Sequence, residues 1–289
     1  MVSVRNVGLS GSPREVVLGV GVYDALSAKL AERAGYDVLF LSGFAVSATL
    51  IGEPDFGLLT QTEILETARR LLRTVQTPVI VDGDTGHGGP LNVQRLVREL
   101  MELGAGGVLL EDQVWPKRCG HMRGKEVISC EEHVQKLRAA AEARGAREFR
   151  LIGRTDARAT HGLDEAVRRG RAYKKAGADV IFVEALQSVE ELERVGREVP
   201  GPLIANMVEG GQTPLLPLER LLELGFEWVV YPLTGLLAAA RALEHAFREL
   251  RGRGESPLGS LMSFDELNGL LDLDARYKQA EKFRMRRDA

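Results

Sequence analysis

Four times along the chain a glycine-bearing phrase returns in front of a short apolar run. Ala34-Gly35-Tyr36-Asp37 precedes Val-Leu-Phe-Leu, and Leu103-Gly104-Ala105-Gly106 precedes Gly-Val-Leu-Leu. Ala176-Gly177-Ala178-Asp179 precedes Val-Ile-Phe-Val, and Leu224-Gly225-Phe226-Glu227 precedes Trp-Val-Val-Tyr. Each glycine stands where a left-handed residue closes a last helical turn. Each run is too short for a helix and suits a buried strand. Val16–Val20, Pro78–Val81, Arg150–Gly153 and Pro202–Ala205 supply further strands, so about eight are expected, each followed by an amphipathic helix. In the first such helix, Ala25, Leu26, Ala28, Leu30, Ala31 and Ala34 are spaced to line one face. Ser129 and Glu132 have the spacing of a capping box at the start of another.

Apolar strands alternating with helices imply a parallel sheet covered on both sides. Eight units within 289 residues fit an α/β (β/α)₈ TIM barrel better than an open sheet. The rival dinucleotide fold needs a phosphate fingerprint. Gly83-Asp-Thr-Gly86-His-Gly88 has its glycines in the wrong order, and Gly120-His-Met-Arg-Gly124-Lys125 is one residue short of a P-loop. The expected organisation is a catalytic barrel over residues 1–251 and a C-terminal helical extension over 252–289, entered through Gly252-Arg-Gly254-Glu-Ser-Pro257. The extension carries an apolar stripe of Phe264, Leu267, Leu270, Leu271, Tyr277 and Phe283. Such a stripe must bury itself on its own barrel or on another subunit.

Composition narrows the function classes. A net charge of −3 offers no electrostatic attraction for nucleic acid or an anionic membrane. No apolar run reaches the roughly 18 residues that span a bilayer, and Met1 to Ser12 reads as no signal peptide. Two cysteines in unlike settings point to a reducing cytoplasm, and Cys119-Gly-His121 lacks zinc-finger spacing. A small carboxylate is the expected partner, without nucleic acid or membrane.

Barrel enzymes keep their chemistry at the carboxyl ends of the strands. Those ends read Ser42-Gly43, Asp82-Gly83-Asp84, Glu111-Asp112, Arg154-Thr155-Asp156, Glu184 and Asn206. Any one of these residues alone would pass as a helix cap, but six polar ends at one rim form a pattern. Asp82 and Asp84 share a side of an extended segment, and with Glu111 they make a pocket for a hard cation. Arg154 is suited to a bidentate grip on a carboxylate. The loop from Glu111 to His121 places Cys119 beside Lys117, Arg118 and His121, and such positive charge is expected to activate a thiol. Pro116 and Gly120 bound a segment able to close over substrate. Cys130, at a helix start, reads as inert.

Val-Asp82-Gly-Asp84-Thr-Gly, Glu111-Asp-Gln, Lys117-Arg-Cys119-Gly-His121, Arg154-Thr-Asp-Ala and Asn206-Met-Val-Glu209-Gly-Gly closely resemble the isocitrate lyase/phosphoenolpyruvate mutase superfamily, from about Tyr23 to Ala246. The resemblance implies Asp82 as a direct Mg²⁺ ligand, or a ligand of Mn²⁺ in its place, with Asp55, Asp84 and Glu111 around the ion and its waters. It implies a 2-oxo acid held by Ser42, Gly43 and Phe44, with Gly120, Arg154, Glu184 and Asn206 also at the substrate. Cys119 becomes the acid/base, flanked by Lys117 and His121. Phe44 stands where methylisocitrate lyases carry a smaller residue, and Trp115-Pro116 and Met207-Val-Glu-Gly-Gly look closer to the 2-alkylmalate lyase group. The implied activity is Mg²⁺-dependent carbon–carbon cleavage of a small 2-hydroxy di- or tricarboxylate. Carboxyphosphonoenolpyruvate mutase chemistry, oxaloacetate hydrolysis or decarboxylation, and a non-catalytic binding barrel are the alternatives. A homotetramer with its last helix exchanged between subunits is implied as well.

Overall fold

The computed structural model describes residues 16–120 and 122–284. Eight parallel strands close into a barrel in chain order. They are β1 (Val17–Val22), β2 (Val38–Leu41), β3 (Val79–Asp82), β4 (Gly107–Glu111), β5 (Arg150–Thr155), β6 (Val180–Val183), β7 (Leu203–Asn206) and β8 (Trp228–Tyr231). β8 pairs back to β1, with Trp228 opposite Val17, so no strand edge is left open.

The helices interleave: α1 (Ala25–Ala34), α2 (Gly43–Val46) with a π-turn at Ser47–Ile51, α3 (Gln61–Leu72), α4 (Pro90–Leu103), α5 (Cys130–Arg144), α6 (Ala157–His161), α7 (Leu163–Lys175), α8 (Val189–Glu198) and α9 (Leu218–Glu223). α4 shows the local logic. Pro90 opens it, where a missing N–H costs nothing, and Gly104 closes it at φ 86°. Val93, Leu96, Val97 and Leu100 between them form one buried stripe. Burying each of those leucines contributes about 1.5–3 kcal/mol.

α1 departs from expectation. Only Ala28 and Ala31 are buried, while Leu26 and Leu30 are 42% and 39% exposed. The buried face is therefore a narrow alanine strip, which sequence spacing alone could not tell from the leucine face beside it. At α5 the Ser129 hydroxyl caps as expected, accepting from the Glu132 amide at 3.1 Å.

Two apolar cores follow from the two-residue period of a strand. Leu39, Leu41, Val79, Val81, Val108, Leu110, Leu151 and Ile181 face the helices. Val38, Phe40, Ile80, Leu109, Ile152, Phe182, Ile204 and Val230 fill the barrel. No helix among the described residues is long and apolar enough to cross a membrane.

The chain divides into two compact units, Met1–Leu236 and Leu237–Ala289. The second takes most of α10 (Thr234–Arg253), then α11 (Phe264–Leu270) and α12 (Leu273–Glu281). No residue of these helices is buried, and Phe264, Tyr277 and Phe283 are 78%, 66% and 78% exposed. Leu271 of the expected stripe is exposed as well, while Leu267 and Leu270 are half-buried.

Candidate active site

The site begins where the barrel core ends. Continuing each strand by one period past its last apolar inward residue leads from Phe40 to Ser42, Ile80 to Asp82, Leu109 to Glu111 and Ile152 to Arg154. The same step leads from Phe182 to Glu184, Ile204 to Asn206 and Val230 to Pro232. All of these line one open cavity, joined from the loops by Phe44, Asp55, Lys117, Arg118, Cys119 and Gly120. Polarity changes abruptly at this layer because the inward positions pass from packed core to open rim.

Two charged clusters face each other across the cavity floor. In the first, the Lys117 ammonium lies 2.7 Å from both Asp55 Oδ2 and Asp84 Oδ1. Asp82 is held from beneath: Oδ1 accepts from the Asp84 amide at 3.1 Å and Oδ2 from the Gly43 amide at 3.2 Å. A side chain at Gly43 would bring its Cβ to 2.9 Å from Asp82 Oδ2, so the rim turn after β2 needs a glycine there. Burial, with Asp82 and Asp55 nearby, raises the Asp84 carboxyl to about 7 against the pull of Lys117. Burial alone would lower Lys117, but Asp84, Asp82, Asp55 and Glu111 outweigh it and hold the ammonium well above the usual lysine range.

In the second cluster, Arg154 meets Asp156 through Nε at 2.9 Å and Nη2 at 3.1 Å. It also reaches Glu111 Oε2 at 3.3 Å and Glu184 Oε2 at 3.2 Å, with its guanidinium 5.2 Å from the Phe182 ring centre. Glu184 accepts in turn from the Ala185 amide at 2.8 Å and the Asn206 amide group at 3.2 Å. Burial would raise the Asp156 carboxyl, but Arg154 and Lys125 bring it down to about 2.

The structure brings Ser42, Gly43, Phe44, Asp55, Asp82, Asp84, Glu111, Lys117, Cys119, Gly120, Arg154, Glu184 and Asn206 to this one region. His121 lies outside the described residues. Two of the sequence neighbours expected to activate Cys119 also have other partners. Lys117 is taken by two carboxylates, and Arg118 donates to the Arg123 carbonyl at 2.9 Å while lying over Phe56. The Cys119 amide donates to the Asp55 carbonyl at 3.2 Å, and the residue lines the cavity. Cys130 is buried.

Sequence reasoning missed the role of Asp112. Its outward strand phase carries it behind the site, where it accepts from Thr155, Arg169, Tyr173 and the Asp156 amide at 2.6–2.9 Å. Lys125, Val208, Pro232 and Leu233 were also unmarked, the last three forming apolar wall.

A divalent cation fits the first cluster. Asp84 Oδ2 and Glu111 Oε1 are buried without a hydrogen-bond donor, a costly state that an oxygen-seeking ion relieves. Among the described residues no three His, Cys, Asp or Glu side chains converge into a ready-made cage. That suits Mg²⁺, which keeps several waters and takes one or two carboxylates directly.

The chain matches the phosphoenolpyruvate phosphomutase family over residues 11–251. It is 51% identical to the petal death protein of Dianthus caryophyllus over 273 residues, 93% of this chain and 85% of that protein. The crystal structure of 2,3-dimethylmalate lyase, a PEP mutase/isocitrate lyase superfamily member, superposes with a TM-score of 0.88 at 36% identity, covering 93% of this chain and 91% of the other. Phosphonopyruvate hydrolase in complex with oxalate and Mg²⁺ superposes with a TM-score of 0.82 at 32% identity, covering 93% and 94%. With these likenesses spanning the whole barrel and its rim, the chain belongs to the phosphoenolpyruvate phosphomutase family and is an enzyme of the isocitrate lyase/PEP mutase superfamily.

Proposed function

We propose that this enzyme is a Mg²⁺-dependent carbon–carbon lyase that cleaves a 2-hydroxy dicarboxylate bearing an alkyl substituent into a 2-oxo acid and a simple carboxylate. One observation carries the choice of substituent. Among the described residues that line the cavity, Lys117 is held by Asp55 and Asp84 and Arg118 by the Arg123 carbonyl and Phe56, which leaves Arg154, steadied by Glu111, Asp156 and Glu184, to take the substrate carboxylate. The remaining wall is Phe44, Val208, Pro232 and Leu233. A third carboxylate or a phosphonate would meet apolar surface there and lose its hydration without return, whereas an alkyl group gains by burial.

In this reading Asp82, Asp84 and Glu111 would hold the ion. When bound, the ion supplies Lewis-acid stabilisation of negative charge on the substrate's 2-oxygen. Arg154 orients the substrate carboxylate, and the amides of the Ser42–Phe44 turn cradle the oxo-acid end. The 2-hydroxyl gives its proton to a rim carboxylate and becomes the carbonyl. The electron pair of the breaking bond passes to the departing fragment as an enolate, and the Cys119 thiol protonates that carbon. Phe44 and its neighbours keep water from the carbanionic centre.

Turnover of 2,3-dimethylmalate, 2-ethylmalate, 2-methylisocitrate, oxaloacetate and carboxyphosphonoenolpyruvate with Mg²⁺ tests this reading. Alkylmalates are expected to lead by at least about tenfold in kcat/KM, the size of one methylene's discrimination. Phe44→Ala should shift the preference toward longer alkyl groups by a similar factor. Cys119→Ser should lower kcat about 10²–10⁴-fold with little change in KM. Undiminished activity in EDTA, or turnover of carboxyphosphonoenolpyruvate alone, would overturn the assignment.

A further inference from the structure

Lys125 belongs to a segment, Gly120 to Lys125, that superficially resembles a phosphate loop, and the mechanism above gives it no task. It is nevertheless a buried lysine, 8% exposed. Its ammonium lies 2.8 Å from Asp156 Oδ1 and donates to the carbonyl oxygen of Gly120, the residue after Cys119. Asp156 is the same carboxylate that grips Arg154 through Nε and Nη2. One ammonium thus ties the backbone of the cysteine loop to the anchor of the substrate-binding arginine.

Three further facts give this link its meaning. The Gly120 backbone lies against the Arg154–Glu184 pair so closely that an added Cβ would stand 2.6 Å from Glu184 Oε2 and closer still to Arg154. The loop is therefore seated on the substrate-binding groups themselves, in a position only glycine permits. Asp156 is fixed from behind, its amide donating to Asp112 Oδ1 at 2.9 Å, so the anchor cannot follow the loop if the loop lifts. Arg154 supplies Asp156 with two hydrogen bonds but is shared with Glu111 and Glu184, so Lys125 adds positive charge there as well as holding Gly120. The contact of this ammonium to Gly120 is the part of its role that the Arg154 cluster does not supply.

We infer that Lys125 is a positioning residue, clamping the Cys119–Gly120 backbone onto the Asp156–Arg154 anchor and so setting the distance between the cysteine and the group held by Arg154. This rests on the reading that Cys119 acts on the substrate. Lys125 itself is not among the residues that line the cavity.

The test uses Lys125→Met, which keeps most of the stem and removes the ammonium, and Lys125→Gln, which restores a donor without charge. Cys119 reactivity is read by iodoacetamide alkylation, located by mass spectrometry, with and without Mg²⁺ and oxalate. Kinetics follow on whichever substrate the screen identifies. Lys125→Met is expected to lower kcat about 10–100-fold, as loss of an outer positioning partner does, while KM changes less than about threefold because Arg154 and Asp156 remain paired. Its Cys119 should be alkylated several-fold faster than in the wild type, with protection by Mg²⁺–oxalate weakened. Lys125→Gln should recover part of both effects. Alkylation does not depend on which reaction the site performs, so a failure of the clamp is separable from a failure of the lyase reading. Wild-type alkylation and wild-type kcat in folded Lys125→Met would overturn the proposal. So would failure of both variants to fold, which would make the lysine a stability element only, and so would a loss confined to KM.

Discussion

The Lys117 and Arg154 clusters are built from the same parts, a buried cation among carboxylates, yet they end in opposite states. Around Arg154 the guanidinium spreads its donors over Glu111, Asp156 and Glu184, and Asp156 is held down to about 2. Around Lys117 one ammonium serves Asp55 and Asp84, burial wins at Asp84, and its carboxyl rises to about 7. Asp84 Oδ2 and Glu111 Oε1 stay without donors. A planar fork of five N–H groups can satisfy several carboxylates where a compact ammonium cannot. The difference teaches a division of labour. The arginine side is a finished platform except at Glu111 Oε1, which has no donor among the described residues, and that atom together with the lysine side keeps a demand for positive charge that protons meet in part and a divalent ion meets better.

Removing each centre sharpens the contrast. Arg154→Met leaves three buried carboxylates facing one another. It should abolish measurable turnover and cost about 3–5 kcal/mol in urea unfolding. Lys117→Met should cost less, because Asp84 and Glu111 can take up protons instead of staying charged. Equal costs would mean that the two clusters do not differ as described. Next in size is the carboxylate pair. Asp156→Asn gives up charge-assisted bonds to Arg154 and Lys125 and should cost about 1.5–3 kcal/mol. Asp84→Asn, measured in EDTA near pH 6, should cost under about 1 kcal/mol, since it replaces a carboxyl that already holds its proton, yet it should weaken the Mg²⁺ dependence of activity. A larger loss for Asp84→Asn than for Asp156→Asn would reverse the assignment of platform and ion site.

Much of this was legible from residue types. Runs such as Val38–Leu41 and Val180–Val183, each behind a helix-closing glycine, could only be strands of a covered parallel sheet, and β2 and β6 occupy those stretches. The rim residues Asp82, Glu111, Arg154, Glu184 and Asn206 were readable because each stands two residues beyond an inward apolar one, and that phase survives folding. Pairing was not legible. Lys117 meets Asp55 across 62 residues of chain, a contact that local charge density could not announce. Asp112 sits next to Glu111 in sequence but one strand phase away, which sends it to the buried network behind the wall. Lys125 lies in a loop with no periodicity, so its reach of 31 residues to Asp156 had no local signal.

The smallest expected effect is also the most direct reading of the ion site, and it concerns pH. For Asp84 the folded value of about 7 lies above its ordinary 3.8. Between those values the folded state holds a proton that the unfolded chain has lost, so the contribution of Asp84 to stability is full below about pH 4 and falls as pH rises toward 7. Asp156 has the opposite sign: its contribution is full above 3.8 and is lost as pH falls toward about 2. The raw stability curve mixes these with His133, whose buried ring is pulled down to about 4 and favours folding as pH rises from 4 to 6.5. Subtracting the Asp84→Asn variant from the wild type, both in EDTA, isolates Asp84. The wild type should lose ground to the variant steadily from pH 4.5 to 7, by less than the ceiling of about 1.4 kcal/mol per pH unit, because Glu111, whose carboxyl burial also raises, shares the proton demand. Adding Mg²⁺ should cancel the trend. The ion takes the place of the proton, binds more tightly as pH rises, and at a hundredfold excess over its Kd adds about 2.7 kcal/mol to the wild type. A difference curve that is flat in EDTA, or unchanged by Mg²⁺, would show that Asp84 is not part of the ion site and would leave the two clusters chemically alike.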